Sequence, residues 1–301
     1  MENYNEQSII DTERLTSEDD SYSRYSKVCY AAATNEIVFR NFKTHPGYTY
    51  ELEHTSKELG DNYIRLAKQE FGDILEKLDW KKISANDIHG GTRVVTYWEL
   101  SDYCGKDCKF SPTTIGYLYL AIRMCKNLQS KNFDSPIDVV ELGAGYGGQC
   151  YLFCTIAEFM GISINSYTLV DLYHANLLQE TYLNKLNLNE KVELRFLSGK
   201  NYEEYRKEVG NVDFVISNYA LSEISIDWGK RYLETFIKKS TCGFFQFNTC
   251  HKPPESGEYE NLTVEHLATH YTNISNTEDP GNPDGVPGGG HKGCRLLVCE
   301  V

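Results

Sequence analysis

The sequence predicts an α/β protein: a doubly wound, mostly parallel sheet in its second half, under a helical N-terminal region. Three observations predict it. From about residue 135 short apolar runs alternate with helical stretches, the pattern of parallel strands and crossover helices. The first such run, PIDVVELG, passes straight into the glycine-rich turn GAGYGG. Before that point the apolar residues recur at helical spacing, as Ile64, Leu66, Phe71, Ile74, Leu75 and Leu78 do.

In chain order, residues 1–22 are acidic and poor in large apolar side chains, and read as a disordered tail. Residues 23–132 form the helical region. Within it NDIHGGTRVVTYWEL is a turn followed by a short strand. SPTT at 111–114 opens a helix, with Ser111 as N-cap and Pro112 at its first position. Residues 133–301 hold the sheet. PIDVVELG, SYTLVDL, KVELRFLS, VDFVISN and CGFFQFN are five strands, with helices in GGQCYLFCTIAEFM, HANLLQETYLNKL, NYEEYRKEV and around WGKRYLETFIKKS. CRLLVCEV is a last strand. The Gly/Pro-rich loop 281–293 before it reads equally as a lid or as a hairpin connection. Ligands of such sheets bind at the carboxyl ends of the strands.

The 301 residues are 41% hydrophobic, enough for a large core. The net charge of −13 disfavours nucleic acid and anionic membranes as partners. No apolar run reaches the roughly 20 residues needed to span a bilayer. The polar, acidic start has neither n-region nor h-region, so a cytoplasmic setting is expected. The ten cysteines then read as reduced. Cys104 and Cys108 are spaced CxxxC without a second pair to complete a zinc site. Cys150 and Cys154 read as buried apolar residues. The sequons at Asn261 and Asn273 carry no weight without secretion.

GAGYGG satisfies G-x-G-x-x-G and admits three readings: a bare strand-to-helix turn, a dinucleotide site, or a site for S-adenosylmethionine (SAM). Glu141, two residues before Gly143, favours the third. A carboxylate there is costly beside a pyrophosphate and suits a cation. Asp171, ending the second strand, suits ribose hydroxyls of either cofactor, or simply a helix cap. Ser217, Asn218 and Tyr219 end the fourth strand, facing cofactor and acceptor. Gly143, Ala144, Gly145, Tyr146, Gln149 and Leu172 complete the expected cofactor set.

The stretches FRNFKTHPGYTYELEHTSKELGDNYI, NDIHGG, SPTTIGYLYL, ELGAGYGGQC, YTLVDLYHANLLQETYL, VISNYALSEIS and CGFFQFN together resemble the class I SAM-dependent methyltransferases, and more specifically the sugar O-methyltransferase family. The resemblance runs from about residue 38 to 250. Thr92 stands where the family has proline, and the segment after Asn248 matches loosely. The resemblance implies a Rossmann-like class I methyltransferase sheet with an antiparallel last strand, a helical cap, and methyl transfer from SAM to a hydroxyl of a small-molecule or glycan acceptor. It leaves the oligomeric state open, a homodimer included.

Activating a sugar hydroxyl needs a base within hydrogen-bond reach or a divalent metal. The candidate bases are His89 and Glu223 first, then Asp87 and His54, with His251 and His291 behind them. Nothing in the spacing of Asp87, His89 and Glu223 demands a metal. The other classes left open are a silent scaffold of the same fold and an NAD-dependent oxidoreductase.

Overall fold

The structure is a computed structural model. It describes residues 20–105, 108–131, 133, 135–198, 210, 212–248, 261–281, 283 and 293–301, and the side chains from residue 24 onward within these. The expected helix NYEEYRKEV, His251, His291 and nearly all of loop 281–293 lie outside the described residues.

The N-terminal region is helical, as its periodicity predicts. Helix α1 spans Asp20–Thr34, so it already includes residues 20–22 that the sequence assigns to the tail. Helices α2 (Lys57–Leu75) and α3 (Trp80–Ala85) follow, with short helical turns at Glu36–Phe39 and Pro46–Thr49. Strands β1 (Val95–Thr96) and β2 (Lys109–Phe110) form a small antiparallel pair. Helix α4 (Pro112–Gln129) starts as SPTT predicts: Ser111 Oγ accepts from the Thr114 amide at 3.0 Å.

Strand β3 (Ile137–Leu142) leads into α5 (Gly148–Phe159), β4 (Ile164–Val170) into α6 (Tyr173–Lys185), and β5 is Glu193–Leu197. Strand β6 (Val212–Asn218) precedes α7 (Ile226–Thr235) and β7 (Ser240–Phe247). Strands β8 (Asn273–Glu278) and β9 (Arg295–Glu300) complete a seven-stranded sheet of order β5-β4-β3-β6-β7-β9-β8. The first five strands are parallel, and β9 runs antiparallel between β7 and β8. This is the Rossmann-like sheet with an antiparallel last strand that the sequence predicts. The register explains the apolar runs. Val139, Tyr167, Phe214 and Ile216 face one core, while Val140, Leu142, Val170 and Val215 face another. A sheet covered on both faces needs apolar residues on both.

The N-terminal helices share the first of these cores, which runs from Tyr25 and Phe39 through Tyr119 and Cys125 to Phe153 and Tyr167. The cap is therefore built onto one face of the sheet. Strand β8 is a correction: NISNTE had been read only as a sequon. One further expectation fails. Cys104 and Cys108 form a disulfide, with Cα atoms 5.8 Å apart; Gly105, at φ +80°, ends the helical turn 101–104 between them. Cys150, Cys154 and the other described cysteines are buried and not disulfide-bonded. No described helix is long and apolar enough to cross a membrane.

Candidate functional site

The glycine loop lies at the carboxyl end of β3. Gly143 takes φ +74°, and a Cβ there would come within 2.1 Å of Ala220 Cβ, just past β6. Only glycine fits this close approach. Gly145, at φ +59°, leaves no more room: its Cβ would lie 3.0 Å from Leu52 Cδ1 of the N-terminal region. The loop is thus clasped between the β6 end and the cap.

Two acids stand beside it. Asp171, just past β4, accepts the Gly145 amide at 3.0 Å, the Leu172 amide at 2.8 Å and Gln179 Nε2 at 3.0 Å. Gln179 Nε2 also reaches Gly145 O at 2.9 Å, so the carboxylate and the loop hold each other. Burial pushes Asp171 up to about 6, against the pull of these donors. The Ala144 amide adds a further pull on the same carboxylate. Glu141 is 1% exposed and accepts the Tyr167 hydroxyl at 2.7 Å. Desolvation raises it to about 8, with Asp171 adding to the rise. A group so placed is mostly protonated at neutral pH and is ready to ionise when a cation arrives.

The other expected cofactor residues divide. Leu172 follows Asp171, and Ala144 is buried in the loop. Gln149 is buried at the start of α5, accepting Asn218 Nδ2 at 3.4 Å while its own Nε2 donates to Tyr117 O at 3.3 Å. Asn218 Oδ1 is buried without a hydrogen-bond partner. Ser217 spends its hydroxyl inside the sheet, donating to Leu142 O at 3.0 Å and accepting the Leu221 amide at 3.2 Å. Tyr146 turns away from the strand ends into the core. There Asn86 Nδ2 donates to its hydroxyl at 3.2 Å and the Lys43 ammonium sits 3.9 Å from its ring centre. Lys43, also buried, donates to Asn86 O at 2.9 Å.

Tyr219 stands at φ +68°, an uncommon conformation for a non-glycine residue. Its hydroxyl donates to Asp279 Oδ2 at 3.1 Å, and Gln246 Nε2 donates to the same oxygen. The other Asp279 oxygen accepts the Gly281 amide at 2.9 Å. Asn62 of α2 then donates to the carbonyls of Pro280 and Gly281. Asp279 thereby ties the ends of β6, β7 and β8 to the cap. Sequence reasoning missed it because TEDP follows a strand that was not recognised.

The four candidate bases are not brought together. Glu223 stays at the strand ends, exposed just past β6, where its Oε1 accepts Asn248 Nδ2 at 2.7 Å. Asn248 follows β7 and is fixed by its amide bond to Ser222 Oγ at 2.9 Å. Asp87 spends both oxygens on the start of α4, at 2.8 Å from the Ser111 amide and 2.8 Å from Thr114 Oγ1. His89 packs against Phe39 and Tyr182, with ring centres 5.5 and 6.3 Å away. Desolvation lowers its pKa, and so does nearby Lys185, the last residue of α6. That end lies about 20 Å from the Asp171 end of the helix. His54 is exposed in the cap. Among the described residues no three His, Cys, Asp or Glu side chains form a group that could hold a metal ion.

No protein family matches the chain by sequence profile, and no curated protein matches it significantly. Similar solved structures include the methyltransferase domain of bacterial CtHen1-C, at 11% identity and TM-score 0.42, covering 60% of this chain and 96% of that one. A second is magnesium protoporphyrin IX methyltransferase (ChlM) from Synechocystis PCC 6803 with bound SAM, at 11% identity and TM-score 0.42, covering 80% and 96%. A third is an O-methyltransferase family protein from Burkholderia thailandensis, at 11% identity and TM-score 0.39, covering 67% and 62%. At these scores the likeness assigns neither an activity nor a ligand to this chain.

Proposed function

We propose that this chain is a SAM-dependent O-methyltransferase acting on a hydroxyl of a sugar or sugar-containing acceptor. The observation that carries the reading is the pair of carboxyls, Glu141 and Asp171, at neighbouring strand ends beside the glycine loop. Asp171 suits the ribose of either cofactor, while a pyrophosphate would meet the carboxyl of Glu141. A ligand with ribose hydroxyls and a positive charge satisfies both. In this reading Asp171 takes the ribose, and the loop from Gly143 to Gly147 supports the nucleoside. Gln149 and Asn218 present amide groups to the methionine part.

SAM, when bound, supplies a methyl group activated by a positive sulfur. The chain's own task is then to align an acceptor oxygen and draw off its proton. Glu223 is the carboxylate that would take that proton: Asn248 holds its Oε1 and leaves Oε2 for it. Positioning of this kind can supply on the order of 7–11 kcal/mol. The sugar class of the acceptor rests on the sequence resemblance.

Calorimetry with SAM, S-adenosylhomocysteine and NAD tests the proposal. Binding of SAM and of its demethylated product is expected. Binding of NAD with neither of these would sink it. Cofactor binding without turnover across a panel of nucleotide sugars would instead favour the scaffold reading.

A further inference from the structure

Glu53 belongs to the cap and has no part in the reading so far. It follows Leu52, the side chain that packs over Gly145 of the glycine loop. Its Oε1 is buried without a hydrogen-bond partner. Hydrogen bonding from Tyr146 and Thr113 serves the carboxyl, yet burial still raises its pKa. The buried Tyr117 phenol lies within electrostatic reach of both Glu53 and Glu141. The backbone at Glu53 is held at φ +56°.

An orphaned carboxylate oxygen in the interior needs a donor. The nearby cation of the chain does not supply one. Lys43 Nζ donates to Asn86 O and to the Tyr182 hydroxyl and rests on the Tyr146 ring. The missing partner is therefore a cationic donor brought by a ligand. A sulfonium has no hydrogen to give, whereas an α-ammonium has three.

We infer that Glu53 is a cofactor-binding residue of the cap, accepting a hydrogen bond from the α-ammonium of the methionine part through Oε1. This rests on the proposed SAM reading. It means the cap reads the amino-acid end of the cofactor, while Asp171 on the sheet reads the nucleoside end.

The test is calorimetry on the full chain with two probes: S-adenosylhomocysteine, which has the ammonium, and 5′-methylthioadenosine, which keeps the nucleoside and lacks it. The wild-type chain is expected to bind both. Failure to bind either overturns the SAM reading itself. E53Q is expected to weaken S-adenosylhomocysteine by about tenfold to a hundredfold, the size of losing a hydrogen bond to a charged group. The same variant should leave 5′-methylthioadenosine within about twofold. Unchanged affinity for S-adenosylhomocysteine, or an equal loss for both probes, overturns the inference. E53G repeats the test at a backbone angle that glycine takes without strain, and the same pattern is expected of it.

Discussion

The strand ends differ on the two sides of the glycine loop. At β3 and β4 the acids are buried and already hydrogen-bonded, Glu141 by Tyr167 and Asp171 by two amides and Gln179. At β6 and β7 the acid is exposed: Glu223 has one oxygen held by Asn248 and the other turned to solvent reach. In the proposed reading the contrast fits two tasks. A group that must recognise a fixed ligand gains from preorganisation and tolerates the cost of desolvation. A group that must take and release a proton needs access.

Gly143→Ala breaks both sides at once. The new Cβ enters the space of Ala220 at a positive φ, so the loop and the β6 end must part. A loss of about 3 kcal/mol in stability is expected, seen by denaturant unfolding, together with loss of S-adenosylhomocysteine binding. Wild-type stability would show that the two ends are not in contact.

Asp171→Ala and Glu223→Gln should sharpen the contrast by failing differently. The first should weaken S-adenosylhomocysteine by about tenfold to a hundredfold. The second should leave that affinity unchanged and lower kcat by roughly 10²–10⁴-fold, the usual contribution of a general base. Titrations and single-turnover rates on the same preparations decide it. The idea of separate tasks fails if the two variants behave alike.

The smallest effect is in pH dependence. Glu141 and Asp171 have folded-state values of about 8 and about 6, above their ordinary range. The folded, ligand-free protein therefore holds protons that the unfolded chain has already released above about pH 4. Their stabilising contribution is whole below that pH. It falls as pH rises, up to about 6 for Asp171 and about 8 for Glu141. Glu141→Gln should flatten the decline between about pH 6 and 8 by about 1–2 kcal/mol. A parallel pH profile for wild type and variant would mean that Glu141 is ionised in the fold.

Much of this was legible in the sequence where the physical pattern is local. Strands buried on both faces announce themselves as apolar runs, so β3, β4, β6, β7 and β9 could be placed from VVEL, TLV, FVIS, FFQF and RLLV. The start of α4 was legible in Ser111 and Pro112. Strand β8 was not, because an exposed edge strand needs no apolar alternation; in NISNTE only Ile274 packs against a core. Site residues that act through distant partners were hidden as well. Nothing in TEDP or LEHTS signals that Asp279 meets Gln246 and Tyr219, or that Leu52 lies over Gly145. The sequence ranked His89 with Glu223, though only Glu223 stands at the strand ends, because which end of α6 a histidine meets is a matter of packing.

The position of β9 between β7 and β8 has a kinetic consequence. Strand β8 precedes β9 in sequence but has no hydrogen-bonding edge to join until β9 is laid down. The sheet margin therefore assembles against the direction of the chain, through contacts of long sequence separation that form slowly. Until it does, Asp279 cannot link Tyr219 and Gln246 to the cap. Completion of the β6–β7 end of the site thus waits on β9, while the glycine loop and Asp171 are built from strands and helices adjacent in sequence.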